Sequence, residues 1–241
     1  LDRRISEIQL TAPQVLATET SHGGGRPGTI DRTPGRPFAI QRTTLSQGEF
    51  TYARIQKGNR AEVHARAIEG VVDSIGSFPD LLHRTTEADV SGVIENSGTF
   101  RLRVALPFFE RRLDLWTNLE ALDLRLNDFS PFSQLLEGIR LEGLVHYGSA
   151  TFHIQERTLT GAVNILYNHL KIEMGETQLR SPLQATVMNV VNWLQVFPSD
   201  LTLPSAAQSR SVARDQDAHE TTLQLLLHGL KDGFIAVAHR R

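Results

Sequence analysis

Between Ile5 and Met174 apolar and polar side chains mostly alternate with a period of two, and no other feature of the chain constrains its fold as strongly. Successive side chains of an extended strand point to opposite faces, so this rhythm marks a sheet with one apolar and one polar side. "FRLRVAL" places Phe100, Leu102, Val104 and Leu106 on one face and Arg101 and Arg103 on the other. "RLDLWTNL" repeats the pattern with Leu113, Leu115 and Leu119, and "IRLEGLVHY" with Ile139, Leu141, Val145 and Tyr147. "ATFHI" adds Ala150, Phe152 and Ile154, and "LTGAVNILY" adds Leu159, Val163, Ile165 and Tyr167. Short breaks at Gln47-Gly48, Lys57-Gly58-Asn59, Glu95-Asn96-Ser97-Gly98 and Gly148-Ser149 carry residues that tolerate positive φ or tight turns. The expected fold is mainly β: an elongated, curved antiparallel sheet in meander order over residues 1–175, groove-like, with C-terminal α-helices.

The sheet should be tall. Arg111 to Asn127 runs without Gly or Pro, and strands of compact domains are usually only about 5 or 6 residues long. Within this run Leu115 and Leu119 are odd while Leu122, Leu124 and Leu126 are even, so a bulge near Glu120-Ala121 or a change of face is expected. "VSGVIENSGTFRLRV" laid against "LEGLVHYGSATFHIQ" suggests a loose internal repeat. The segment "LNDFSPFSQLLEGIRLEG" interrupts the alternation. Asp128, Ser130 and Pro131 can start a short crossover helix and Gly138 can end it, while Phe129, Phe132, Leu135 and Leu136 either tuck it against the sheet or plug its trough.

Three regions depart from strand character. Residues 21–37 hold five Gly and three Pro and read as a flexible loop; a phosphate cradle there would need a following Gly-Lys-Ser/Thr that is absent. Residues 176–204 read as a helix from Ser181-Pro182 to about Gln195, followed by a short strand, with Leu183, Val187, Val190, Val191 and Leu194 in a stripe. After a polar linker at 205–217, an amphipathic helix over 218–241 presents Leu223, Leu226, Leu227, Leu230 and Phe234 on one face. That stripe suits packing on the core, or a membrane surface or partner protein helped by Lys231, His239, Arg240 and Arg241.

A net charge of −2 with scattered Arg argues against nucleic acid as a partner. The absence of cysteine removes disulfides, thiolate nucleophiles and Cys-based zinc sites. No run of 18 apolar residues is present, and a start at "LDRRISEIQL", without Met and almost directly in strand-like sequence, reads as a segment of a longer protein. The nine histidines show no HxxxH or HEXXH spacing, and G-x-S-x-G is missing. Glu87 and Asp89 flank Ala88 on one strand face, where solvation explains them. No catalytic set, metal or cofactor is indicated, and a non-enzymatic role is expected.

What remains is the apolar face. Apart from the short crossover helix, helices are expected only near the C-terminus, too few to cover a tall sheet, so a curved sheet would keep an apolar trough. Acyl chains suit such a trough, because each buried CH₂ contributes about 0.8 kcal/mol without directional chemistry. The candidate lipid-binding residues are Phe100, Leu102, Val104, Leu113, Leu115, Leu141, Val145, Phe152, Ile154, Val163 and Ile165. The alternative is a structural or scaffold β-domain whose apolar face is sealed by helices or a partner.

The stretch "LRLNDFSPFSQLLEGIRLEGLVHYGSATFHIQERTLTGAVNILYNHLKIEM" resembles the C-terminal region of AsmA-like envelope proteins of Gram-negative bacteria, where a Ser-Pro segment precedes a series of strands. "SPLQATVMNVVNWLQVFPSDLTLP" is similar to their following helix and short strand, although "VFPSD" stands where the family has a charged turn. "RISEIQLTAPQVLAT" and "FAIQRTTLSQGEFTYAR" are similar to their earlier elements, so the resemblance spans residues 5–204. It implies a taco-shaped β-groove in the periplasm, anchored to the inner membrane by a helix outside this chain. It also implies a role in phospholipid movement or envelope lipid homeostasis.

Overall fold

The alternating segments form ten strands of a single sheet that does not close on itself. The computed structural model describes residues 3–11, 13–20, 38–56, 58–78, 84–107, 112–174, 208–217 and 220–238. The strands are β1 (Arg3–Thr11), β2 (Gln14–Thr20), β3 (Phe38–Gln56), β4 (Asn59–Gly76), β5 (Thr85–Ile94), β6 (Gly98–Pro107), β7 (Asp114–Arg125), β8 (Ile139–Gln155), β9 (Thr158–Met174) and β10 (Gln208–Asp215). From β3 to β10 they lie side by side in chain order, each antiparallel to the next. The meander and the mainly-β class follow from the sequence rhythm. The edge does not: β1 and β2 both run parallel to β3, one after the other along its length. Pro13 separates them, and the connection to β3 is long enough to return the chain to the same end, as parallel pairing requires.

The sheet is as tall as expected, with 19 residues in β3, 18 in β4 and 17 each in β8 and β9. Such lengths are reached because two expected breaks are not breaks. Gly58 (φ 81°) turns β3 into β4, and Glu95 (φ 51°) lies in the turn from β5 to β6. At Gln47-Gly48, by contrast, β3 continues through a bulge, with Gln47 at φ 53° and the register shifting on both sides of Gly48. Gly148-Ser149 lies inside β8, paired with Ala121-Glu120 on one side and Ile165-Asn164 on the other. Two complete ladders outweigh a local preference for turning. The proposed repeat therefore matches a hairpin, β5–β6, with part of a single strand, β8, and is not structural.

The phase slip of β7 is taken up at Asp123, not at Glu120-Ala121. β7 holds one unbroken register against β8, but Asp123 adopts φ 54° and reverses the side to which later residues point. Leu115 and Leu119 before it, and Leu124 and Leu126 after it, all reach the same core. Leu122, on the wrong phase, is 48% exposed.

A 3₁₀ turn, Leu126–Phe129, leads into α1 (Ser130–Glu137), which has Pro at its first turn and ends at Gly138 in the left-handed conformation (φ 65°). The helix joins β7 to β8, which are sheet neighbours, so it decorates a hairpin and is not a crossover. It lies against β8 and also against β4 and β3. On a flat sheet β4 and β8 would be about 19 Å apart, whereas eight helical residues span about 12 Å. The sheet must curl around α1. The Phe132 ring meets Tyr52 of β3 edge-on at 5.5 Å, which pins the two walls together at this end.

The expected linker at 205–217 instead contains β10, paired with β9 along its full length. Its sequence, "QSRSVARD", hides the strand because Val212 is its single large apolar residue, and Val212 is buried. The final helix, α2 (Thr222–Ala238), begins later than Ala218, at a capping box. Thr221 Oγ1 accepts the Gln224 amide at 3.2 Å and Gln224 Oε1 accepts the Thr221 amide at 2.7 Å. Its buried face runs through Leu225, Gly229, Gly233 and Val237. Leu226, Leu230 and Phe234 flank this line, but Leu223 is 45% exposed. The expected helix at 181–195 and the loop at 21–37 lie outside the described residues.

Candidate functional site

The eleven apolar residues singled out from the sequence share one face of the sheet but divide into three groups there. Leu115, Val145, Phe152, Ile154, Val163 and Ile165 are buried and belong to the main hydrophobic core together with Leu159, Tyr167 and the α2 residues Leu225 and Val237. Helix α2 lies on β9 and β10, and its two buried glycines allow close approach: a Cβ on Gly229 would contact both δ-methyls of Leu159 at 3.1 Å. Leu113, Leu141 and Val104 are partly buried and pack against this core from its margin. Phe100 and Leu102, on β6, are half-buried and lie outside it.

The margin is therefore the part of the face where a ligand could bind. Among the described helices, α1 lies against β3, β4 and β8, and α2 against β9 and β10. Between them run β5, β6 and β7, whose inward side chains include half-buried Val90, Phe100, Leu102, Val104 and Leu119. Gly92 deepens this strip, since a Cβ there would stand 3.0 Å from the Phe100 ring and 3.3 Å from Ile68. Among the described residues this half-buried apolar strip therefore has α1 at one end and α2 along one side. Alternation identified the face, but it could not show which part lies under a helix, because both kinds of position are apolar.

The opposite face is polar and also concave. A hollow of about 920 Å³ crosses it from β3 to β8. Asp89 accepts Arg101 Nε at 2.9 Å and Arg101 Nη2 at 2.6 Å, with Arg103 Nε at 3.6 Å. The Arg101 hydrogen bonds hold the Asp89 carboxyl below the usual carboxylate range against the opposing effect of burial, with the Arg103 charge assisting. Trp116 stands on this face, 51% exposed. Its indole stacks on His153 at 3.9 Å and 10°, and His153 Nε2 is 2.7 Å from Asp114 Oδ1. Trp116 was not among the sequence candidates, although its even position between Leu115 and Thr117 already directs it away from the core.

Glu220, at the start of α2, is the most deeply buried charge described, with its side chain 4% exposed. Burial would raise its pKa, but the Asp217 amide (3.0 Å), His228 Nδ1 and the Arg214 guanidinium (3.5 Å) together hold it below the usual range. These contacts tie α2 to the end of β10. Among the described residues no group of three or more His, Asp or Glu side chains is placed to hold a metal ion. None of the described helices is long and apolar enough to cross a membrane. Comparison with family models, curated proteins and solved structures finds no significant match to this chain.

Proposed function

We propose that the chain is a lipid-binding β-groove module that holds acyl chains in the trough over β5–β7. One observation supports this reading above the others: Phe100, Leu102 and Val104 form an apolar, half-buried strip between the zones occupied by α1 and α2. Among the described helices, α1 takes one end of the face and α2 one wall. Each methylene of an acyl chain laid along the strip would contribute about 0.8 kcal/mol, so a chain of ordinary length needs only part of its surface covered to bind at micromolar levels. The resemblance of residues 5–204 to AsmA-like envelope proteins points in the same direction, toward phospholipid movement in a Gram-negative envelope with the groove in the periplasm. In this reading no catalysis is required, and the buried residues under α2 form the floor and wall of the groove. They do not contact the ligand.

The test is uptake by delipidated protein of a fluorescent fatty acid and of phospholipid vesicle lipid, together with mass spectrometry of lipids that co-purify from an envelope. Saturable uptake at about one ligand per chain supports the reading. Absence of uptake, with no co-purifying lipid, favours the structural β-domain instead.

A further inference from the structure

Across the polar face one row of directly paired residues runs Asp73, Glu87, Ala105, Trp116 and His153, on β4 to β8 in turn. The stack of Trp116 on His153 is nearly parallel, at 10°. With paired strands about 4.8 Å apart, the two rings stand upright on the sheet and face each other across the β7–β8 spacing. One side of the indole is therefore taken, and Asp114 holds the imidazole behind it at 2.7 Å. The other side faces Ala105, whose methyl is too short to meet it. The next side chain in that direction is Glu87, two strands and about 10 Å from Trp116. Ala105 thus leaves a slot with an indole face as one wall and a carboxylate as the other, opening into the hollow of about 920 Å³.

An exposed indole with one face stacked and the other turned to a hollow offers a flat apolar surface to a ligand. The surroundings narrow its chemistry. The hollow is lined by three guanidiniums and four carboxylates, and Asp89 already engages Arg101 and Arg103, so there is little net field to attract an ion of either sign. What the lining offers is hydrogen-bonding capacity of both kinds within a short reach: the Asn118 amide, the Thr151 hydroxyl, Arg103 donors and the Glu87 carboxylate. A partner whose every polar group both donates and accepts, and which also has a flat C–H face for the indole, satisfies both features. We propose that this face is a binding site for neutral oligosaccharides, with one pyranose ring stacked on Trp116 over Ala105 and neighbouring rings extending across the hollow toward β3. Curved antiparallel sheets carry oligosaccharides on such faces in other folds. The site is on the other side of the sheet from the lipid trough and does not rest on that reading.

The experiment is isothermal titration calorimetry of the full chain with cellohexaose, chitohexaose, mannohexaose and xylohexaose. The expected result is saturable, enthalpy-driven binding of at least one of them. Trp116→Ala, at an exposed position, should leave the unfolding transition in place and weaken that binding at least about tenfold. Ala105→Leu, which fills the slot against the indole, should weaken it comparably while Trp116 is retained. Failure of all four sugars to bind overturns the proposal. So does binding that is equally strong in the Trp116→Ala and Ala105→Leu variants.

Discussion

Gly233 of α2 lies so close to Val163 of β9 that a Cβ added to it would stand 2.3 Å from Val163 Cγ2 and 2.7 Å from its Cβ. The helix can rest on the sheet at that depth because Gly233 has no side chain. One turn earlier, Gly229 would bring its Cβ against the ends of the Leu159 side chain at 3.1 Å and the edge of the Phe152 ring at 3.6 Å. Alanine is favoured over glycine in a helix by about 1 kcal/mol, and overpacking costs about 1–3 kcal/mol. The clash wins at Gly233, where the opposing atoms are a stiff β-branched side chain, and the propensity offsets it at Gly229. In urea unfolding, Gly233→Ala should lower stability by about 1–2 kcal/mol, while Gly229→Ala should stay within about 1 kcal/mol of wild type. Equal effects at the two positions would contradict this packing.

Glu220 makes the docking of α2 sensitive to acid. Its folded-state pKa is lowered by its hydrogen bonds and the Arg214 charge despite burial, so the folded state favours the ionised form. That stabilisation is complete above the usual carboxylate range and is lost as pH falls through the lowered value. Glu220→Gln should be less stable than wild type near neutral pH, and the gap should narrow below about pH 4. Thermal unfolding across a pH series measures it.

The division of the apolar face separates two substitutions that the sequence alone would treat alike. Leu102 is half-buried on β6, outside the core, and Phe152 is fully buried near Gly229 of α2. Phe152→Asp forces a carboxylate into a dry core and should unfold the domain. Leu102→Asp should leave it folded, at a cost of about 1–2 kcal/mol, and reduce fatty-acid uptake several-fold. Circular dichroism and uptake measured on the same samples distinguish the two outcomes.

Ser130 is the link between α1 and β8. Its hydroxyl accepts the Leu141 amide at 3.0 Å and donates to the Leu141 carbonyl at 2.5 Å, in a buried position. Removing it leaves both backbone groups without that partner, at a cost of about 1–3 kcal/mol. Ser130→Ala should also raise amide exchange at Leu141 ahead of the rest of β8. Unchanged protection there would mean that the packing of α1 on β8 and β4 does not depend on this hydroxyl.

Much of the fold is legible in the residue pattern. "FRLRVAL" and "ATFHI" state which side of β6 and β8 is apolar, and Gly58 and Glu95 mark two true turns. The pattern misleads where long-range pairing overrides local preference. Gly148-Ser149 has turn chemistry but is held extended by strands on both sides, and β10 has a single buried Val212 from which no rhythm could be read. Trp116 was legible as an outward residue, yet its open face depends on Ala105 and His153, which are distant in sequence and adjacent only by register.

The sequence by itself determined the mainly-β class, the meander and the two-sided character of the sheet, because period-two alternation is a property of each strand alone. Tertiary structure decided how the sheet curls around α1, which apolar residues lie beneath α2, and where β7 reverses its phase at Asp123. Those outcomes depend on contacts between segments far apart in the chain, where a glycine's missing side chain or a few ångströms of approach separates a core position from one left open to a ligand.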